Sequence, residues 1–397
     1  MAGLFRRIPG FRSGTWWKQL AASAVYLVAA FSPYVMLRRL PGWCALLLYL
    51  KGTNQLRGVN RSGAEWGNEW TKKWDGWNGQ THYEWPTATT RSNEFNYFLS
   101  KNMNVIRLPI SWERLQHELG GPLDPTYLQN LLDYFYAATA FRNQSINKDF
   151  QGFYVIIDLH NYGRYATGAF NSSGDPVATF TQHKLGDGTL TFAHVADVWT
   201  KIAKHFVINE NVMTIQGRRV IFNLMNEQHD AHPSLDSTAI FAGYQTVEKA
   251  IRATGAKQMI LFPNTRSSDT SHWSKYSPQG GPLDRDAAVN VTDSVFDMHS
   301  YSSIDNWIDD IKNVTDWARR NNKRLFLSEL GTEDGPAVVS KLLSYIRCNG
   351  DVWVGWTMWN LAPYQITTTD KLSGAVSPTP KMAWYERHFL AYLNIGD

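Results

Sequence analysis

Eight short runs rich in β-branched and aliphatic residues recur along this chain, and most are followed by a stretch with helical periodicity. The runs are Gln55–Val59, Asn104–Leu108, Gly152–Leu159, Arg219–Leu224, Gln258–Phe262, Ser294–Met298, Arg324–Ser328 and Val352–Met358. Between them lie amphipathic stretches such as Thr126–Thr139, Val195–Ile208, Ala239–Thr254, Asn306–Asn321 and Pro336–Arg347. Parallel strands need a long crossover, and a helix supplies it, so this alternation implies a parallel α/β sheet. Eight units in one body predict a single (β/α)8 TIM barrel with long loops. A doubly wound sheet would want a glycine-rich phosphate turn after the first strand. Gly58 and Gly63 stand five apart there, with no helical pattern directly behind them.

The charge is unevenly spread. All 35 acidic residues fall at or after Glu65, whereas nine of the 39 lysines and arginines precede it. The body is therefore mildly acidic, and a nucleic-acid partner, which needs a basic surplus on the folded surface, is not expected. The basic head Met1–Lys18 runs into the apolar Leu20–Leu37, then Arg38-Arg39, then a second apolar run, Leu40–Leu50. A basic head before a short apolar run is the layout of a secretory signal or a membrane anchor. Residues 1–51 are thus expected to be a signal or anchor segment and 52–397 the barrel domain. The protein is then expected to be secreted, or tethered to the outer face of a membrane; separately, a monomer is expected. Two cysteines, Cys44 and Cys348, and no CxxC pair speak against cysteine-based redox or zinc chemistry.

Each strand run ends in polar groups. Asn60 follows the first, Arg107 lies at the second, and His160-Asn161-Tyr162 follow the third. Asn226-Glu227 follow the fourth, His299 and Tyr301 the sixth, Glu329 the seventh and Trp359 the eighth. In a barrel these ends share one face, where active sites form. Glu227 and Glu329 each stand at the tip of an apolar strand, where a charge is partly desolvated and needs partners. Two carboxylates flanking one bond are what glycosidic cleavage requires, one as proton donor and the other as nucleophile or base. The segment Gln228-His229-Asp230-Ala231-His232 lacks a metal-binding motif and reads as loop.

An ordered series of segments resembles glycoside hydrolase family 5, in its endo-β-1,4-glucanase branch. The series is Leu56–Trp66, Thr81–Pro86, Met103–Pro109 running into Trp112–Leu115, Asp158–Tyr165, Asn223–Glu227, Asp297–Tyr301, Glu329–Gly331 and Gly355–Trp359. The resemblance implies a retaining double displacement on a β-1,4-glucan in a (β/α)8 barrel. The alternatives are the same mechanism on another β-glycan (mannan, xyloglucan, a mixed-linkage or exopolysaccharide glucan) or a non-catalytic carbohydrate-binding barrel. No metal or cofactor is expected. Glu227 would be the acid/base and Glu329 the nucleophile. Arg107 and Tyr301 would keep Glu329 ionised, and Asn226 would hold the sugar 2-hydroxyl. His160 and His299 would position substrate or tune protons, and Trp359 would offer an apolar platform. Trp66, Trp70, Trp74 and Trp77 read as a wall of the glycan cleft, with Trp66 as a substrate contact, while Trp85 reads as core. The chain departs from the branch at Ser267–Thr270, at Ser302–Trp307 and beyond Trp359, which leaves the catalytic ring intact and alters the subsites around it.

Overall fold

A closed ring of eight parallel strands organises the computed structural model. It describes residues 55–65, 84–170, 177, 180–209, 212–213, 216–263, 268–270, 294–301, 307–331, 336–361, 367–369 and 376–378. The strands are β1 Leu56–Arg61, β2 Val105–Ile110, β3 Tyr154–Leu159, β4 Val220–Asn223, β5 Met259–Phe262, β6 Ser294–Ser300, β7 Leu325–Leu330 and β8 Trp353–Leu361. They follow one another around the barrel in chain order, and β8 closes onto β1 with Leu56 opposite Gly355 and Val59 opposite Met358. Every expected strand run coincides with one of them.

Helices α1 Ala88–Ser100, α2 Pro125–Ala140, α3 Phe192–Lys204 and α4 Ser237–Ala253 follow β1 to β4. Helices α5 Trp307–Arg320 and α6 Pro336–Cys348 follow β6 and β7. Local chemistry sets their starts. Asp124 accepts a bond from the Tyr127 amide, with Pro125 in the first turn of α2, and Asp236 likewise accepts from Ala239 at α4. Helix α3 stops at Lys204, short of the expected Ile208. Val207–Asn209 instead pairs antiparallel with Val212–Met213, which suits the β-branched pair Val207-Ile208.

The barrel is filled, not hollow. One apolar residue from each strand (Leu56, Val105, Ile156, Ile221, Leu261, Val295, Phe326 and Val354) forms a buried plug. A larger apolar cluster joins the outer face of the sheet to the helices. Strands β1 and β2 approach closely at Gly58, where a Cβ would stand 1.7 Å from the Val105 carbonyl oxygen. Trp85 packs edge-on against Tyr127, at 5.4 Å between ring centres, as the core assignment expects. The expected signal or anchor segment lies outside the described residues, as do Trp66, Trp70, Trp74 and Trp77. Among the described residues no helix is long and apolar enough to cross a membrane.

Candidate active site

Above the apolar plug lies a ring of buried polar side chains drawn from seven strands. Asn60 on β1 donates to the Ser328 and Met358 carbonyls, and its own side-chain oxygen accepts from Arg107 at 2.8 Å. Arg107 on β2 pairs with Asp158 of β3 at 3.0 Å and donates to Asn223 of β4 at 2.9 Å. Asn223 donates to Asp297 of β6 at 3.1 Å, Ser328 of β7 also donates to Asp297, and Thr357 of β8 donates to the Ser328 carbonyl. Such a network is worth its desolvation only when its members are satisfied. Here it fixes Arg107, whose remaining donors point at the strand ends.

Those donors reach two residues singled out in the sequence. Arg107 Nη1 lies 2.6 Å from Glu329 Oε1, and Nη2 donates to Asn226 Oδ1 at 2.8 Å. Tyr301 donates its hydroxyl to Glu329 Oε2 at 2.6 Å, while its ring stays 43% exposed. Gly331 makes room for that ring, since a Cβ there would meet Tyr301 Cε1 at 2.7 Å. His299 Nδ1 stands 2.8 Å from Glu227 Oε1 and 3.5 Å from Glu329 Oε2, between the two carboxylates. His160 is bound at Nδ1 by Asp158 (2.6 Å) and at Nε2 by the Tyr162 hydroxyl (3.0 Å), and it stacks on Trp359 with an interplanar angle of 7°. Eight of the nine residues named from the sequence therefore meet in one network. The ninth, Trp66, lies outside the described residues.

Backbone strain concentrates here. Glu227 has φ 34° and ψ 66°, and Tyr162 has φ 55°, both left-handed conformations that L side chains disfavour. Surrounding contacts hold them: the Asn226 amide bonds to the Leu159 carbonyl, and the Asp230 amide to the Tyr162 carbonyl. Strain of this kind costs on the order of 1–3 kcal/mol per residue and gathers at functional sites.

The two carboxyls sit in different surroundings. Burial alone would raise Glu329, but the charges of His299, Arg107 and His160 and the Tyr301 hydrogen bond bring it down to about 2. Glu227 is the more open, its side chain 21% exposed against 5% for Glu329. Burial opposes a charge on His299, yet Glu329, Glu227 and Asp297 hold its imidazolium up to about 9. The result is one firmly ionised carboxylate, a cation beside it, and a second carboxyl facing the opening.

A family model described as cellulase (glycosyl hydrolase family 5) matches residues 59–362, from β1 to just past β8. The chain belongs to glycosyl hydrolase family 5. As a family 5 member it is an O-glycosyl hydrolase. Among its curated relatives is endo-beta-1,4-glucanase A of Emericella nidulans, 28% identical over 81% of this chain and 87% of that protein. Another is the manganese dependent endoglucanase Eg5A of Phanerodontia chrysosporium, 27% identical over 72% of this chain and 70% of that protein. The crystal structure of the endo-beta-1,4-glucanase Xac0029 from Xanthomonas axonopodis pv. citri superimposes with a TM-score of 0.61 at 26% identity. That match covers 86% of this chain and all of the other.

One of those names raises the matter of a metal. Glu227, His299 and Glu329 offer ligand atoms within 4.8 Å of one another. The set does not fit a cation. Both Glu329 oxygens already accept hydrogen bonds, Oε1 from Arg107 and Oε2 from Tyr301, and His299 Nδ1 is engaged with Glu227 Oε1 at 2.8 Å. The sequence reading gave no role to Asp158, Asn223, Asp297 and Ser328, and named Tyr162 only as a polar strand-end group. A usable signal was present: each site histidine follows an aspartate by two residues, in Asp158-Leu159-His160 and Asp297-Met298-His299.

Proposed function

We propose that this chain is an endo-acting retaining β-1,4-glucanase in which Glu329 is the nucleophile and Glu227 the acid/base. The observation that carries the reading is the convergence of these two carboxyls on His299, with one oxygen of each within 4.8 Å of the other. Retaining enzymes hold their carboxyls about 5–5.5 Å apart, whereas inverting ones leave about 6.5–9.5 Å for a water. Glu329, ionised well below neutral pH, attacks the anomeric carbon while Glu227 protonates the leaving oxygen. Water, deprotonated by Glu227, then releases the sugar from Glu329. Arg107 fixes the Asn226 amide so that its NH2 group faces the sugar 2-hydroxyl, a contact that strengthens in the transition state. Trp359, backed by His160, supplies an apolar face to a sugar ring. A β-1,4-glucan is preferred because endo-β-1,4-glucanases recur among the relatives and solved neighbours.

The basic head and paired apolar runs support export, with residues 1–51 serving as a signal or as an anchor to the outer membrane face and the barrel acting as a monomer. Soluble β-glycans assayed by reducing ends and viscosity test the activity. Glu329→Ala should abolish turnover of every substrate. Glu227→Gln should cost about 10²–10⁴-fold on polymer while sparing substrates with good leaving groups. Equal loss on both substrate types in Glu227→Gln would exclude the acid/base assignment.

A further inference from the structure

Each site histidine follows an aspartate by two residues, and residues i and i+2 of a strand share a face. Asp158 lies within β3 and His160 just past its end, while Asp297 and His299 both lie within β6. Both aspartates belong to the buried polar ring, one level below the strand ends. The two pairs differ in their contacts. Asp158 bonds His160 at 2.6 Å, and the far side of that ring is taken by Tyr162. Asp297 Oδ2 stands 3.8 Å from His299 Nε2, a buried nitrogen that has no hydrogen-bond partner among the described residues. His299 Nδ1 faces the reacting carboxyls, Glu227 and Glu329.

We propose that Asp297 is a positioning residue that keeps His299 doubly protonated, so that a fixed positive charge lies between the acid/base and the nucleophile. The inference rests on the catalytic reading above and deepens it. A neutral imidazole at this place would leave two carboxylates facing each other in a poorly solvated cleft. One of them would then take up the shared proton. A cation between them lets Glu329 stay ionised whether or not Glu227 carries its proton. Burial raises Asp297, but the charges of His299 and Arg107 and the hydrogen bonds from Ser328 and Asn223 oppose that rise, and with them Asp297 supplies the balancing charge. Among the described residues the charged groups facing His299 are Glu227 from the end of β4, Glu329 from β7 and Asp297 from its own strand, and Asp269, beyond β5, is bridged to the His299 backbone. Arg107 acts on both Asp297 and Glu329, and Tyr301 bonds Glu329. The attraction of the three carboxylates for the imidazolium outweighs its burial.

Asp297→Asn tests this with little change of shape, because the amide oxygen can accept from Asn223 and the amide NH2 can donate to the Ser328 hydroxyl. The full chain labelled with 15N-histidine is titrated by NMR without substrate, and His299 is assigned by comparison with His299→Asn. The His299 midpoint should fall by about one pH unit or more in Asp297→Asn. The alkaline limb of kcat/KM on soluble β-glucan should fall in step, with KM little changed. An unmoved His299 midpoint would overturn the proposal, as would a uniform loss of kcat with an unmoved alkaline limb. If Asp297→Asn does not fold, Ser328→Ala removes one of the hydrogen bonds that oppose the burial-driven rise of Asp297. It should lower the His299 midpoint by a smaller step, and no change there overturns the proposal equally. Because the titration needs no substrate, a wild type inactive on glucans with a shifted midpoint would sink the catalytic reading alone.

Discussion

At the scale of single residues, the proposed nucleophile depends on atoms that do not touch substrate. Glu329 has one oxygen against Arg107 and the other against Tyr301. Tyr301 keeps that contact because Gly331 presents no side chain to its ring. Gly331→Ala therefore forces the ring aside and removes the tyrosine hydrogen bond from Glu329. A hydrogen bond to a charged group is worth about 1.5–3 kcal/mol, so kcat should fall by roughly tenfold or more. The lost donor also raises Glu329, so the acid limb of the kcat profile should move to higher pH. Stopped assays from pH 3 to 7 check both effects. An unchanged acid limb would mean that the Tyr301 bond does not tune the carboxyl.

At the scale of elements, legibility followed burial pattern. Strands such as Val105–Ile110 and Tyr154–Leu159 are buried on both faces, because the plug takes one face and the helices the other, and that shows as a short apolar run interrupted by a single polar residue. Helix α1 escaped notice because its sequence, ATTRSNEFNYFLS, buries only Glu94, Phe95, Phe98 and Leu99, one of them an acid paired with Arg61. The strand-end residues were readable as polar groups terminating apolar runs. Asp158, Asn223 and Asp297 were not, because a single polar residue inside a strand gives no hint of which neighbour will satisfy it. Their partners come from other strands, up to 116 residues away for Arg107 and Asn223. The plug beneath them makes a separate stability prediction. Ile156→Ala deletes a fully buried plug side chain directly below Asp158 on the same face of β3. The loss should be about 2–5 kcal/mol, read as a lower urea midpoint. A fall below ~1 kcal/mol would show that the neighbouring plug residues close the gap.

For the whole molecule, the active site and the stability of the fold share the same charges. His299 is raised from 6.5 to about 9 in the folded barrel, and His160 is raised as well, in its case because Asp158 overcomes the cost of burial. A group whose folded pKa is raised contributes stability fully below its unfolded value and loses it as pH climbs through the folded value. The contribution of His299 is thus complete below about pH 6.5 and gone above about pH 9. For His299 alone a shift of this size corresponds to roughly 3 kcal/mol, an upper bound because Glu329 shares the same interaction. Urea denaturation should give a lower midpoint at pH 9.5 than at pH 6. In His299→Asn the two midpoints should draw together, with the remainder traceable to His160. Should His299→Asn lose as much stability over that range as the wild type, the alkaline weakness must come from elsewhere in the fold. A drop clearly larger in the wild type than in His299→Asn would tie the enzyme's alkaline limit to the same imidazolium that lies between Glu227 and Glu329.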